Sequence, residues 1–301
     1  MIDRRRIRRG HKPKAAATVS YAFLFGWLLV TLFPVFWMVS TSFKPQAGWF
    51  AWPPQWLPAD FTLDNYRQIL TFGKLASSAP NPDSGFSRLI HSAILPIRDS
   101  LIVATASSTV AVTLGASLAY TIARFRTGGK NYAQILLLIR MIPPVVIAVP
   151  ILAYFTLPWW RDTLYDAYLG LIIPYVLITL PYAVWLMFSF MQQVPHELEH
   201  AAQIMGAGRV QILRKVVFPL IRPGLAVTFA FVFILNWSEF LFAYTLAGQD
   251  LTTVTVQLSL YEQLLGPQAA FGTLAILPLI ILGFAVQKHL VTGFSYGLVR
   301  K

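Results

Sequence analysis

Six long apolar runs constrain this fold more than any other feature of the chain. They lie near residues 19–40, 99–123, 131–156, 167–192, 223–247 and 268–290. An α-helix rises 1.5 Å per residue, so about 20 apolar residues cross the hydrocarbon core of a bilayer. Lipid offers the backbone no hydrogen-bond partner, and such runs must therefore be helical. The sequence predicts an all-α polytopic membrane protein with six transmembrane helices.

Composition agrees with a membrane protein. Of the 301 residues, 56% are hydrophobic and 12% are charged, whereas soluble domains carry about 25% charged residues. The net charge of +12 could indicate a nucleic-acid partner, but the basic residues flank the apolar runs, as membrane orientation requires. The chain contains no cysteine, which excludes a disulfide framework and a thiolate metal site.

The first apolar run follows a basic segment, RRRIRRGHKPK, that resembles the charged region of a signal peptide. The run is long enough to span a membrane, whereas a signal core has about 7–15 residues. We therefore expect a retained first helix. The predicted organisation is a cytoplasmic tail over 1–18 and a six-helix transmembrane domain over 19–301, without an independent soluble domain.

The placement of lysine and arginine predicts the orientation. With the N-terminus inside, the inner segments hold Arg4, Arg5, Arg6, Arg8, Arg9, Lys12, Lys14, Arg124, Arg126, Lys130, Arg209, Arg214, Lys215, Arg222, Lys288, Arg300 and Lys301. The outer segments hold Lys44, Arg67, Lys74, Arg88, Arg98 and Arg161. This excess predicts that both termini are cytoplasmic. The loop 43–97 then faces outward, with a tryptophan-rich collar and a short helix from about Thr62 to Leu70.

The polar segment 193–222, between the fourth and fifth runs, is predicted to be a cytoplasmic pair of helices. Pro195 suits a first helical position, and Glu197 and Glu199 favour the first turn. Apolar residues recur at helical spacing on one predicted face: Leu198, Ala201, Ala202 and Met205.

Gly206 and Gly208 can adopt the left-handed conformation that ends a helix. We expect a second helix from Val210 that Pro219 ends before the fifth span begins. The segment is either a plain connector between two spans or a docking element for a soluble partner. An apolar face of small residues and two glycines at a helix break favour docking.

The same segment resembles the EAA loop in the permease subunits of carbohydrate-type ABC importers. That family's pattern runs approximately E-L-E-E-A-A-x-I-D-G-A and then L-P-L-x-x-P, and this chain has ELEHAAQIMGA and FPLIRP. Further blocks that look like counterparts are PPQWLPADFTLDNY, RDSLIVA, AYTIARFRTGGK, RMIPP, WSEFLFAYTL and GFSYGLVRK. The resemblance covers most of the chain and implies the type I importer permease (MetI-like) fold.

Four positions depart from the family pattern. The glutamate that gives the motif its name is His200, and the usual aspartate before the glycine is Met205. Elsewhere Asp99 and Ser238 replace asparagines. The changes at His200 and Met205 affect how the loop would pair electrostatically with an ATPase.

The resemblance implies a function for the loop and a set of partners. The loop would be a coupling helix seated in a cytoplasmic ATPase, with contacts from Glu197, Glu199, His200, Ala201, Ala202, Met205, Gly206 and Ala207. The chain would be a non-catalytic subunit of the inner membrane, paired with a second permease, two ATPase subunits and an extracytoplasmic binding protein. It would carry no cofactor, since ATP and magnesium would bind to the ATPase. The implied substrate is a sugar, polyol or related glycerol compound.

Two ionisable residues, Arg140 and Glu239, lie inside predicted spans, where burial of charge is costly. Either they line a translocation path with Trp237, Ser238 and Tyr244, or they pair structurally with each other or with the backbone. Arg140 and the prolines that follow it, Pro143, Pro144 and Pro150, interrupt the third run. Because proline breaks the backbone hydrogen-bond ladder, this run is expected to be broken. The resemblance also implies that the loop 249–267 contacts the binding protein, through Gln249, Asp250, Tyr261 and Glu262; an ordinary exposed turn is the alternative.

Two other functional classes fit the sequence less well. A secondary transporter driven by an ion gradient would show repeated halves and several intramembrane acids, and this chain has one such acid and no visible repeat. A membrane enzyme would need clustered catalytic groups, but the five histidines are scattered: His11, His91, His196, His200 and His289.

Overall fold

The computed structural model describes residues 14–77, 92–129, 131–248, 251–261 and 264–298. The chain over these residues is helical, without a β-strand in those ranges. In chain order the helices are α1 Lys14–Ser42, α2 Asp64–Ser77, α3 Ile94–Phe125, α4 Tyr132–Leu138, α5 Pro144–Phe155, α6 Arg161–Leu164, α7 Tyr168–Met191, α8 His196–Ile204, α9 Arg209–Ile212, α10 Phe218–Trp237, α11 Leu241–Leu246, α12 Val254–Leu260 and α13 Leu265–Leu298.

Five helical stretches in the described residues are long and apolar enough to cross a membrane. They are Thr18–Ser42, Ile94–Phe125, Tyr168–Met191, Arg209–Trp237 and Leu265–His289. These stretches confirm the predicted all-α membrane fold. The remaining predicted span, 131–156, is a broken helix rather than a continuous one, and its longer half is the apolar helix α5.

Prolines explain the break in the 131–156 segment. Helix α4 ends at Leu138, a 3₁₀ turn covers Ile139–Met141, and α5 begins at Pro144 with Pro143 in an extended conformation. Proline lacks an N–H and suits the first turn of a helix, so the Pro143–Pro144 pair starts a new helix instead of continuing the old one. The predicted interruption is confirmed.

The fifth predicted span differs from the structure at both ends. Pro219 was expected to end a separate helix, but the chain stays helical from Arg209 through Pro219 and Pro223 to Trp237. A π-helical turn at Leu213–Val217 directly precedes Pro219. This wider turn contains Lys215, the residue whose carbonyl a proline at 219 would otherwise crowd. At the other end the helix stops at Trp237 rather than at residue 247, and α11 begins after a short break.

The centre of the fold is the parallel pair α3 and α7, with α10 packed against both helices. The two backbones approach closely at Gly115, where an added Cβ would lie 2.7 Å from the Cβ of Ala183. Small residues allow membrane helices this proximity. The most apolar part of α1, by contrast, contains no buried residue. Helix α1 packs along α13.

A lysine organises the segment that follows α1. The ammonium of Lys44 lies 4.1 Å from the ring centre of Trp37 and donates to the carbonyl of Gln55 at 2.5 Å. Burial lowers the pKa of Lys44 from its usual value. The short helix predicted at 62–70 is confirmed as α2, which is longer and has Thr62 accepting the amide of Asp64 at 3.1 Å.

Candidate functional site

The polar segment after α7 forms the predicted pair of helices. Helix α8 begins after Pro195 and ends at Ile204, and Gly206 follows with φ of +83°, the left-handed conformation expected for it. The expectation for Gly208 is wrong. Its φ is −71°, an extended conformation, because this residue is the N-cap of α9 rather than the end of α8.

One face of α8 points into the protein. Glu199 and Ala202, three residues apart, are buried at 6% and 5% exposure. Ala202 joins an apolar cluster with Met187, Met191 and Ile212. Ala202 therefore does not belong to an outward apolar face with Leu198, Ala201 and Met205, as the spacing had suggested. It packs against the transmembrane helices instead.

Glu199 forms a buried ion pair with the last turn of α3. Its Oε1 accepts from Nε of Arg124 at 2.6 Å, and the two side chains are 8% and 6% exposed. Its Oε2 accepts from the hydroxyl of Tyr120 at 3.2 Å, one helical turn earlier on α3. Glu199 was expected to contact a partner protein, but the structure directs its carboxylate inward.

Arg124 uses its remaining nitrogens to hold the start of α8. Nη2 donates to the carbonyl of Val194 at 3.0 Å, and Nη1 lies 3.2 Å from Nε2 of His196. A planar guanidinium suits such a fixed, many-sided arrangement. Three points on the segment 194–199 are thus attached to one side chain of α3.

The opposite face of α8 is exposed and ends in an apolar tip. Glu197, His200 and Ala201 are exposed along the helix. Ile204 and Met205, at its end, are 89% and 81% exposed. The remaining predicted coupling residues sit in the turn: Gly206 is exposed, and Ala207 is half-buried with its amide donating to the carbonyl of Ala202 at 3.0 Å.

The two faces define what the hairpin can do. Ile204 and Met205 form a small exposed apolar surface at the end of an otherwise polar helix. The buried face fixes the helix to the transmembrane domain. The exposed tip therefore has a fixed position relative to α3 and α7.

A pairing of Arg140 with Glu239, one of the alternatives left open by the sequence, is absent between these two described residues. The guanidinium of Arg140 lies 5.1 Å from the ring centre of Tyr182, and it lines a largely apolar cavity of about 490 Å³ beside α3 and α7. The carboxylate of Glu239 accepts the amides of Phe242 at 3.0 Å and Ala243 at 3.3 Å. Glu239 thereby caps the start of α11, which follows the interruption between α10 and α11.

The other residues assigned to a translocation path are divided between surface and core. Ser238 and Tyr244 are exposed, and Tyr244 stacks on Phe240 with ring centres 5.3 Å apart. Trp237 is 5% exposed and stacks on Phe233 at 5.6 Å. Trp237 and Tyr244 both lie near Glu239 in the sequence, but one is buried and the other is exposed.

The residues assigned to binding-protein contact are described in part. Gln249, Asp250 and Glu262 lie outside the described residues. Tyr261 is fully buried and packs against Phe271, with ring centres 5.6 Å apart. In this conformation its side chain has no surface to offer a docked protein.

Sequence reasoning overlooked Arg124, Tyr120 and His196. Arg124 entered the sequence analysis as one more positive charge at the inner end of a span. A count of charges predicts the membrane orientation but not which residue a side chain contacts. The available signal was the spacing of Tyr120 and Arg124, which places both on one face of α3 at its last turns. Their partner, Glu199, lies 75 residues away along the chain, and local patterns carry no information about that contact.

Comparisons with known proteins agree on the kind of molecule. The family described as binding-protein-dependent transport system inner membrane component matches residues 111–296. The trehalose transport system permease protein SugB of Mycobacterium tuberculosis is 32% identical over 277 residues, covering 89% of this chain and 92% of the relative. The trehalose/maltose transport system permease protein MalG of Thermococcus litoralis is 27% identical, covering 90% and 92%.

A solved structure shares the fold. A chain from the crystal structure of a bacterial ABC transporter involved in the import of the acidic polysaccharide alginate superposes with a TM-score of 0.66. The match covers 91% of this chain and 96% of that chain, at 19% identity. The helix arrangement described above is therefore shared with a chain of that transporter.

Proposed function

This chain belongs to the family of binding-protein-dependent transport system inner membrane components, and we propose that it imports a sugar, a polyol or a related glycerol compound. It is a multi-pass permease subunit of an ABC importer, which decides against the ion-gradient alternative. The proposed substrate class rests on relatives that are named for trehalose, for trehalose and maltose, and for sulfoquinovosyl glycerol.

The exposed tip of α8 is the observation that carries the proposed coupling. Ile204 and Met205 present an apolar surface on a helix whose other side is fixed to the membrane domain. An ATPase with an apolar cleft would cover this tip and bury a surface that is costly in water. In this proposal ATP and magnesium bind to the ATPase, and this chain supplies no catalytic group.

The proposed assembly contains four kinds of subunit. This chain pairs with a second permease, two ATPase subunits dock on the inner side, and an extracytoplasmic binding protein delivers the substrate. The excess of lysine and arginine in the inner segments supports an orientation with both termini and α8 in the cytoplasm. The exposed faces of α1 leave room for the second permease.

The proposed translocation path follows the exposed polar and aromatic groups near the break after α10. Ser238 and Tyr244 are exposed beside this break. Glu239 stabilises the break by accepting hydrogen bonds from the amides of α11. Arg140 lies at the break in the third span, beside Tyr182. Non-helical backbone at membrane depth is tolerated where it lines a cavity, and this supports a path at the two breaks.

A pair of substitutions tests the docking surface. Ile204→Glu with Met205→Glu places two charges in the apolar tip, and we expect the purified permease pair to lose its ATPase subunits. Ile204→Leu with Met205→Leu is the matched control, since it keeps the surface apolar. Binding-protein-dependent ATP hydrolysis, with trehalose and maltose as probes, is measured on the reconstituted complex. If the charged variant still binds its ATPase subunits, the proposed docking site is wrong.

A further inference from the structure

The two ends of α3 are attached to two different parts of the chain. At the Phe125 end, Arg124 and Tyr120 hold Glu199 of α8. At the Ile94 end, the hydroxyl of Ser100 accepts the amide of Val254, the first residue of α12, at 2.8 Å. Ser100 and Arg124 are separated by about 36 Å, from 24 residues at 1.5 Å each.

The end of α3 near Ser100 is also joined to α7. The hydroxyl of Tyr168 donates to Oδ1 of Asp99 at 2.7 Å, and Asp99 is 1% exposed. Arg98 neutralises this carboxylate from the exposed side at 2.8 Å. Both ends of α3 thus have hydrogen bonds to charged or polar groups of other elements, with close packing against α7 in between.

The pair of Arg124 and Glu199 has the properties of a rigid connection. Two charges are removed from water, and this is tolerated because each has further hydrogen bonds: Glu199 from Tyr120, and Arg124 to Val194. Loss of one partner would leave the other charge buried without compensation. Flexible surface ion pairs lack this constraint, since water can replace either partner.

We propose that Arg124 and Glu199 are positioning residues of the transport cycle, through which displacement of α8 moves α3 as a rod. Movement at the cytoplasmic tip thereby reaches Ser100 and the start of α12 on the opposite side of the membrane. The ion pair transmits the movement, and the exposed tip at Ile204 and Met205 receives it. This inference rests on the proposed function, since it requires an ATPase at that tip.

Substitution of Glu199 tests the connection in the complete transporter, reconstituted in liposomes with its binding protein and substrate. Glu199→Gln keeps the shape and removes the charge. We expect ATPase subunits to stay bound and hydrolysis to continue, while the number of substrate molecules carried per ATP falls severalfold below the wild-type ratio. Asp64→Asn, which breaks the exposed pair of Asp64 and Arg67, is the control and should keep the wild-type ratio.

A merely structural role would give a different result. Transport and hydrolysis would then fall together, with an unchanged ratio, and that outcome overturns the proposal. If the wild-type complex shows no binding-protein-dependent hydrolysis, the proposed function fails instead. The two failures are distinguishable because the first requires a coupled wild type.

A covalent replacement keeps the test decisive even if Glu199→Gln assembles poorly. The chain has no cysteine, so Arg124→Cys with Glu199→Cys creates a unique pair that a short bis-maleimide can join. We expect the joined protein to recover the wild-type ratio of transport to hydrolysis, relative to the same variant without the reagent. Lack of recovery, or arrest of transport on joining, would show that α8 does not drive α3 through this contact.

Discussion

Oδ1 of Asp166 lies 2.7 Å from the backbone nitrogen of Gly248 and 3.0 Å from that of Leu251. One carboxylate oxygen thus accepts two amides of the segment that follows α11. Asp166 itself has φ of +54°, a conformation that aspartate tolerates better than most residues. Gly248 is required at this approach, since an added Cβ would lie 2.6 Å from Oδ2 of Asp166.

Asp166→Ala is expected to release Gly248 and Leu251 from this carboxylate without unfolding the protein. Hydrogen bonds to a charged group contribute about 1.5–3 kcal/mol each. Limited proteolysis should cut the segment that follows α11 faster in the variant, and stimulation of ATP hydrolysis by the binding protein should decrease. Asp166→Asn keeps an acceptor oxygen and the unusual backbone conformation, so it should lie between wild type and alanine. Equal proteolysis of all three proteins would contradict the anchoring role.

Gly115→Ala is expected to destabilise the contact of α3 with α7. The added Cβ would lie 2.7 Å from the Cβ and 2.9 Å from the carbonyl carbon of Ala183, and backbone atoms cannot move aside cheaply. Overpacking of this kind costs about 1–3 kcal/mol. Thermal unfolding in detergent measures the effect. Gly283→Ala, where no atom lies within 4 Å of the new Cβ, is the matched control; a similar midpoint for both variants would refute the close approach.

The helices of this protein follow from its sequence where the governing interaction is with lipid. Runs of about 20 apolar residues must be helical in a bilayer, so the predicted spans match the structure at α1, α3, α7 and α13. The prolines at 143 and 144 mark a real break because proline lacks the N–H that would continue the preceding helix. These inferences need no knowledge of which helices are neighbours.

Local sequence patterns did not predict features that depend on contacts between elements, such as where a helix ends or which way a side chain points. Pro219 has the same chemistry as Pro144, yet a π-helical turn ahead of it lets the helix continue. Ala202 has the spacing of an exposed apolar face, yet the charge of Arg124 draws Glu199, and with it Ala202, towards the membrane domain. The direction of Glu199 depends on a contact with α3, and that contact is defined only by the folded chain.

Gly206→Leu is expected to obstruct docking of the ATPase and so to lower the ATP hydrolysis that the binding protein stimulates. Space around Gly206 is open, with no atom within 4 Å of an added Cβ, so the side chain would project from the docking tip. The left-handed backbone adds about 1–2 kcal/mol of strain for a residue with a Cβ. Gly206→Asn separates the two effects, since asparagine tolerates this conformation but still adds bulk. The measurement is ATP hydrolysis stimulated by the binding protein.

The outcome for Gly206 distinguishes obstruction from strain. If both variants lose stimulated hydrolysis, the side chain obstructs docking. If asparagine behaves as glycine does, strain alone explains the leucine variant. Normal stimulated hydrolysis by Gly206→Leu would rule out a role of this turn in docking. Gly208→Ala is the control, because its extended backbone accommodates any residue and its surroundings are open.

His200→Glu restores the residue that the family pattern places at this position, and we expect no gain in coupled transport. His200 is exposed on the outward face of α8, between the buried Glu199 and the exposed Ala201. The substitution therefore leaves the ion pair of Glu199 with Arg124 intact and changes only the surface offered to the ATPase. A cleft that has adapted to an imidazole would meet a second carboxylate close to Glu197 and gain nothing from it. Transport and ATP hydrolysis by the reconstituted complex decide the matter, since a clear rise in coupled transport would show that the ATPase cleft still favours the glutamate.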